Sequence, residues 1–415
     1  MDLRIVKIFL VALAFAGCHR IGQTVSGPLE QRGYIWQREW TPAVMDAVGE
    51  AGRRMDGVVL LGAEITFAGE KPDIIKAGID WEAVKRQGGR SSIALRVSPF
   101  AGPFRNDDAI AHTIVDLARQ LLRDALKHDV EIGEFQFDFD CSRANLGAYR
   151  EWLRMLRVAV HPTRFVITTL PAWLNDSEFR ALVREADGYV LQVHSVPISN
   201  PNGASLCDTR LARQWVEKAA ELGVPFSVAL PTYRCSAGYG PDGKLLSVAM
   251  DSVQPSWPPG TRVLEFATDA DEIAALVNDW QRERSPALRE LLWYRVPITT
   301  DTRNWRWPTL SAVMAGRRPE HKLNVVQNGL NPIDLSIFNA GEADEQLSRN
   351  VIATWNGAEL TAYDALSGWN VRSENERAIF NVTVPRGLRL APGAMRKIGW
   401  LRFDQATTLR IELSN

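Results

Sequence analysis

The stretch GEFQFDFDCS, Gly133–Ser142, alternates Phe135, Phe137 and Phe139 with Gln136, Asp138 and Asp140. A strict period of two is the pattern of a β-strand, with the aromatics on one face and the polar groups on the other. The segments on either side predict that both faces of this strand are covered. Asp138 and Asp140 are therefore carboxylates turned into a protein rather than into water. Their Cα atoms are expected about 6.6 Å apart on the same face.

Outward from this strand, strand-like and helix-like segments alternate. GYIWQREW leads into TPAVMDAVGEAG, where Thr41 suits an N-cap and Pro42 the first helical position. DGVVLLGAEITF is followed by a helix around Asp80–Gln87, and SSIALRVSPF by a helix with Ile110, Ile114, Leu117 and Leu121 on one face. After the opening strand, Leu146, Tyr149, Leu153 and Leu156 fall at helical spacing. RFVITTLP, DGYVLQVHSV, PFSVALPTY and ELLWYRVP continue the series, with helix candidates such as LARQWVEKAAEL and DEIAALVNDWQ among them. Eight strand–helix units predict a parallel sheet closed into a (β/α)₈ barrel, α/β in class, over residues 31–318. No Gly-rich dinucleotide fingerprint follows the first strand, which argues against an open doubly wound sheet.

Beyond the polar AGRRPEHK the pattern changes to short strands and turns. NVVQNG, IDLSIFNAG, VIATWNGAEL, AIFNVTVP and TLRIELS predict a small β-sandwich over 322–415, with Asn328-Gly329 and Asn356-Gly357 as turn dipeptides.

The 415-residue chain is 46% hydrophobic and 23% charged, with a net charge of −1. This balance offers no basic field for nucleic acid. Fourteen tryptophans suit sugar platforms as well as core packing. At the N-terminus, Arg4 and Lys7 precede the apolar run IFLVALAFAGC, too short for a stable span. Its end, Phe15-Ala16-Gly17-Cys18, resembles the lipobox of bacterial lipoproteins, although Phe15 departs from the usual residue. The resemblance implies a signal peptide over 1–17, lipidation of Cys18 and a linker over 18–30. It also implies membrane anchoring in the bacterial envelope, at the periplasmic face of the outer membrane. Export permits disulfides. Cys207 and Cys235 stand in polar, loop-like stretches after the sixth and seventh strands and are expected to pair, leaving Cys141 free. No CxxC, HxH or HExxH spacing occurs, so no metal and no cofactor is expected. Nothing in the sequence bears on oligomeric state.

Functional groups of such barrels sit at the C-terminal ends of the strands. Those ends offer Trp36, Arg38, Glu64, Arg96, Asp138, Asp140, Trp173, Gln192, His194, Tyr233 and Arg295. Acids, arginines and aromatics on one rim suit a carbohydrate. Glycoside hydrolysis needs two carboxyls, and Asp138 with Glu64 is the first pair to consider, supported by Asp140. The structural alternative pairs Asp138 with Arg96 or Arg295 and has Asp140 cap the following turn.

FDFDCS resembles part of the D-G-x-D-x-D-x-E motif of family 18 glycoside hydrolases, with Asp138 and Asp140 at its second and third acids. Phe135 stands at the first acid and Ser142 at the catalytic glutamate, so the family's general acid is missing and its chemistry does not carry over. YIWQREWTPAV, QFDFDCSRANLGAYREWLRMLR and FNAGEAD together resemble a bacterial lipoprotein family built on the domain of unknown function 3142. That resemblance implies fold and localisation but no reaction. Two functions remain open: an envelope glycoside hydrolase-like enzyme, or a non-catalytic glycan-binding or scaffold lipoprotein on the same fold.

Overall fold

The structure, a computed structural model, describes residues 23–68, 71–100, 102, 104–105, 109–196, 205–250, 256–366, 368–383 and 388–414. The signal segment 1–17 and Cys18 lie outside the described residues.

The chain runs through β1 (Glu30–Ile35), α1 (Pro42–Arg54) and β2 (Gly57–Ala68), with β3 (Lys71–Lys76) folded back antiparallel on the end of β2. It continues through α2 (Trp81–Gln87), β4 (Arg90–Val97), α3 (Ala109–Lys127), β5 (Ile132–Phe139), α4 (Leu146–Val160), β6 (Arg164–Thr169), α5 (Ser177–Leu182), β7 (Gly188–Gln192), α6 (Thr209–Ala220) and β8 (Phe226–Pro231). Next come β9 (Arg234–Tyr239), β10 (Leu245–Ala249), β11 (Arg262–Ala267), α7 (Ala270–Arg282), β12 (Leu288–Tyr294) and α8 (Trp307–Met314). Parallel pairing runs β1-β12-β8-β7-β6-β5-β4-β2, and β2 returns to β1. The eight strands expected from the sequence therefore close a barrel.

Local chemistry agrees with these boundaries. Asp80 caps α2 by accepting from Ala83 N at 2.8 Å, and Pro42 opens α1, although the Thr41 side chain makes no cap bond. Leu146, Tyr149, Leu153 and Leu156 are fully buried between helix and sheet. On β5 the phenylalanines join this outer core, while Glu134, Gln136 and Asp138 point into the barrel. The barrel interior is layered. At its N-terminal end Arg32 lies between Glu134 and Glu290, with Ser92 and Ser227 completing the hydrogen bonds. The middle layer is Tyr34, Val59, Ala94, Val166, Val190, Ala229 and Leu292. There Gln136 accepts from the Tyr34 hydroxyl at 2.8 Å and donates to Glu134 at 2.8 Å. These filled layers leave the C-terminal mouth as the accessible end.

One element departs from the expectation. Between the seventh barrel strand, β8, and α7, the strands β9, β10 and β11 form an inserted antiparallel sheet in the order β10-β9-β11. It overturns the expected disulfide. Cys235 lies on β9 between β10 and β11, packed with Phe266 and Tyr239, while Cys207 is buried in the helix-side core just before the Asp208 cap of α6. The two thiols occupy different apolar clusters, and Cys141, Cys207 and Cys235 are all free.

After α8, β13 (Leu323–Asn328), β14 (Ile333–Asn339), β15 (Glu345–Leu347), β16 (Asn350–Thr354) and β17 (Leu360–Ala365) lead to β18 (Trp369–Ser373), β19 (Arg377–Val382), β20 (Leu388–Leu390), β21 (Met395–Phe403) and β22 (Arg410–Ser414). Two four-stranded antiparallel sheets, β13-β14-β21-β17 and β18-β19-β16-β22, share one core that includes Leu335, Ile398, Val351 and Phe380. Gly329 and Gly357 turn with φ of 82° and 73°, values that favour glycine.

Candidate active site at the barrel mouth

The C-terminal ends of the barrel strands surround an open cleft of about 940 Å³. Trp36, Arg38, Glu64, Arg96, Asp138, Asp140, Gln192, His194, Tyr233 and Arg295 all line it. Trp173 does not. The 3₁₀ turn Pro171–Trp173 carries its indole back into the core, where it packs 6.0 Å from Phe179.

Asp138 is the most firmly held group. Buried at the top of the interior, it accepts from Arg96 Nη1 through Oδ2, and from Thr168 Oγ1 at 2.7 Å and Gln192 Nε2 at 3.3 Å through Oδ1. The β4–β5 register sets Arg96 directly beside Asp138. The same guanidinium reaches Asp140 Oδ2 at 3.6 Å. Asp140 keeps a partly exposed side chain, and the following 3₁₀ turn and α4 start from Ser142 and Asn145 rather than from it. Burial and the neighbouring Asp138 charge push its carboxyl above the usual carboxylate range, with Arg96 opposing them. Asp138 is thus the more fully hydrogen-bonded carboxylate of the two, and Asp140 is the carboxyl whose proton affinity is raised.

The other rim acids also meet arginines. Glu64 accepts from Arg38 Nε, and Asp301 from Arg295 Nη2 at 2.7 Å. Arg295 also donates to Met250 O at 3.1 Å, which ties the inserted sheet to the rim.

Across the mouth from Asp138 and Asp140 stands an aromatic cluster centred on Tyr294. Its ring centroid lies 5.8 Å from Tyr34, 5.5 Å from Trp36, 5.7 Å from His194 and 5.7 Å from Tyr233. Burial pushes the Tyr294 phenol up to about 12, so it remains a hydrogen-bond donor. Burial lowers the His194 imidazole to about 4, against a smaller upward pull from Asp138. His194 is therefore neutral at ordinary pH and serves as a hydrogen-bonding ring rather than a cation.

Tyr34 and Tyr294, with Thr168 and Asp301, are among the cleft residues missing from the strand-end reading. Strand parity could have found both tyrosines, since Arg32-Tyr34-Trp36 and Glu290-Leu292-Tyr294 share the inward phase. Chemically, the cleft offers aromatic faces for sugar C–H surfaces, arginine–carboxylate pairs for hydroxyls, and one carboxyl with raised proton affinity.

No curated protein matches the chain in sequence. Solved structures similar to it include the spore cortex-lytic enzyme SleL of Bacillus megaterium QM B1551, at 13% identity over 71% of this chain and 75% of that one, with a TM-score of 0.49. A chitinase from Chromobacterium violaceum ATCC 12472 is 14% identical over 69% of this chain and 98% of its own, with a TM-score of 0.47. A fungal endo-β-N-acetylglucosaminidase from glycosyl hydrolase family 18 is 12% identical over 70% and 98%, with a TM-score of 0.41. Residues 324–404 match the domain of unknown function DUF8456. Residues 102–299, which span the acidic fourth barrel strand, match the domain of unknown function DUF3142, the family to which the sequence motifs point.

Proposed function

We propose that this protein takes a glycan chain into the mouth of its barrel and hydrolyses it, with Asp140 as proton donor. The observation that carries this reading is an open cleft in which a carboxyl of raised proton affinity sits beside a second, firmly hydrogen-bonded acid, in a wall that the Tyr294 cluster shares. Glycoside hydrolysis asks for one carboxyl that keeps its proton and a second that stays ionised. Asp140 fits the first role. Glu64, on the cleft wall, is the second carboxyl, and Asp138 holds Arg96 and Gln192 in place.

A non-catalytic glycan-binding protein is the second reading. It is favoured by the arginine partners of Glu64, Asp138 and Asp301, which neutralise these acids as hydroxyl-binding pairs. Binding of the mature protein to a glycan array, followed by mass spectrometry of any bound glycan after incubation, separates the two. Product formed by the parent and lost in a still-binding Asp140→Asn variant supports hydrolysis. Binding without product supports the second reading, and no binding to any glycan overturns both.

The proposal includes lipid anchoring through Cys18 at the envelope, supported by the short apolar run and the small residues before that cysteine. Cys18→Ser is expected to release the protein from membranes or block its processing. Retention of the variant on membranes after a high-salt wash would contradict the anchor.

A further inference from the structure

A second cavity, of about 220 Å³, lies where the barrel meets the C-terminal sheets, and Tyr233 lines both it and the mouth cleft. Three arginines from separate elements converge on it: Arg234 of β9, Arg303 after β12 and Arg389 of β20. Two of them share one carboxylate. Asp344 Oδ2 accepts from Arg234 Nη1 at 3.0 Å and from Arg389 Nε at 2.8 Å.

Arg303 is left with little. Its side chain is 6% exposed, and its nearest counter-charge is Glu265 Oε2 at 3.5 Å from Nη1. That glutamate is 42% exposed and already accepts from Ser236. Among the described residues no hydrogen-bond partner meets Nε or Nη2 of Arg303. A guanidinium carries five N–H donors and does not lose its proton. Buried donors of this kind are ordinarily met by acceptors. The lining also holds the carboxylates Asp269 and Asp271 beside Asp344, and the Arg234 pKa is lowered chiefly by burial, with Asp344 and Glu265 opposing and the charges of Arg389 and Arg303 adding to the fall.

We propose that this junction cavity binds an oxyanion, a phosphate or carboxylate group gripped by Arg303, Arg234 and Arg389. Planar guanidinium forks match the oxygens of such groups in bidentate fashion. The cavity has room for a group of this size, and Arg389 and Arg303 stand on opposite sides of the junction between sheets and barrel. The bound anion supplies the acceptors that Arg303 lacks and links the two regions directly behind the cleft residue Tyr233.

The test is calorimetric titration of the full chain with inorganic phosphate, acetate and chloride at matched ionic strength, with thermal unfolding in parallel. Saturable binding of phosphate or acetate at one site, accompanied by a raised Tm, is the expected result, and the tighter anion identifies the group. Arg303→Gln and Arg389→Gln should each weaken it at least tenfold. The Arg389 side chain is 42% exposed, so that variant tests binding without disturbing the core. An effect that chloride reproduces, the absence of saturable binding by both oxyanions, or binding unchanged in both variants would overturn the proposal.

Discussion

Arg96 donates to Asp138 across the β4–β5 register while its second terminal nitrogen stands 3.6 Å from Asp140. One guanidinium therefore serves two carboxyls, and it serves them unequally. Asp138 has two further donors, whereas Asp140 is left with its proton affinity raised by burial and by Asp138.

The first prediction concerns that proton. If Asp140 is the acid, glycan turnover falls as pH rises through its raised pKa, and Asp140→Asn lowers turnover by roughly 10²–10⁴-fold. The contribution of this group to stability falls over the same pH range. A carboxyl whose folded pKa is raised favours the folded state below its unfolded value, and that contribution is lost as pH rises through the folded pKa. The variant should therefore unfold at an equal or higher temperature than the parent at pH 7, and lose any advantage in acid. A large drop in Tm at pH 7 would show that Asp140 is held by favourable contacts instead.

Asp138→Asn should behave differently. The amide keeps the shape but replaces an anion that accepts from Arg96, Thr168 and Gln192. Breaking a charge-assisted set of this kind costs about 1–3 kcal/mol, softened here because Arg96 can turn toward Asp140. Urea unfolding gives the cost, and glycan binding by the folded variant should fall at least tenfold. Unchanged affinity would remove Asp138 from the site.

The barrel was legible because helix and strand periods alternate from Tyr34 onward, and the mouth was legible because strand ends converge there. Parity decided the details. The strand-end reading takes the adjacent Arg295 instead of Tyr294, although Glu290 and Leu292 set the inward phase four and two residues earlier. Trp173 lies just past a strand end, but Pro171 opens a tight turn that swings it into the core. Whether such a turn continues outward or folds back depends on packing that no local pattern encodes. The β9–β11 insertion is hidden for a related reason: in RCSAGY, Gly238 lies against Trp257 and Thr261 and nearly every residue is buried, so the segment shows little of the alternation of a half-exposed strand. The cysteines looked loop-like because their neighbours are polar or small, and tertiary packing buried them.

At the other end of the barrel, Glu290 and Glu134 clamp Arg32, all three almost fully buried. Burial alone would raise the Glu290 carboxyl, but Arg32, the Ser227 hydroxyl and Arg90 outweigh it and hold its pKa below the usual range. Stability from this group is present above the unfolded glutamate pKa and is lost as pH falls below about 4 through the folded value. Glu290→Gln leaves Arg32 with one anion and should cost about 3–5 kcal/mol at pH 7. Its stability should also depend less steeply on pH in the acid range. Parent and variant denaturation curves between pH 3 and 7 check both; parallel curves would mean that Glu290 does not carry the acid sensitivity.

The last prediction separates burial from cross-linking. Cys141, Cys207 and Cys235 are 3%, 2% and 0% exposed, and burial pushes their thiols up to about 12, 12 and 11. Alkylation needs the thiolate and access to it. At pH 8 such pKa values leave only on the order of 10⁻³ to 10⁻⁴ of each thiol ionised, before any barrier to entry. The folded protein should therefore resist iodoacetamide over a time in which a small thiol reacts fully. In denaturant without reductant, all three should alkylate at once and appear as three separate peptides. A disulfide would instead keep two of them silent until reductant was added. A single linked peptide containing Cys207 and Cys235 would restore the bridge and require β9 and the segment before α6 to pack differently from the arrangement seen here.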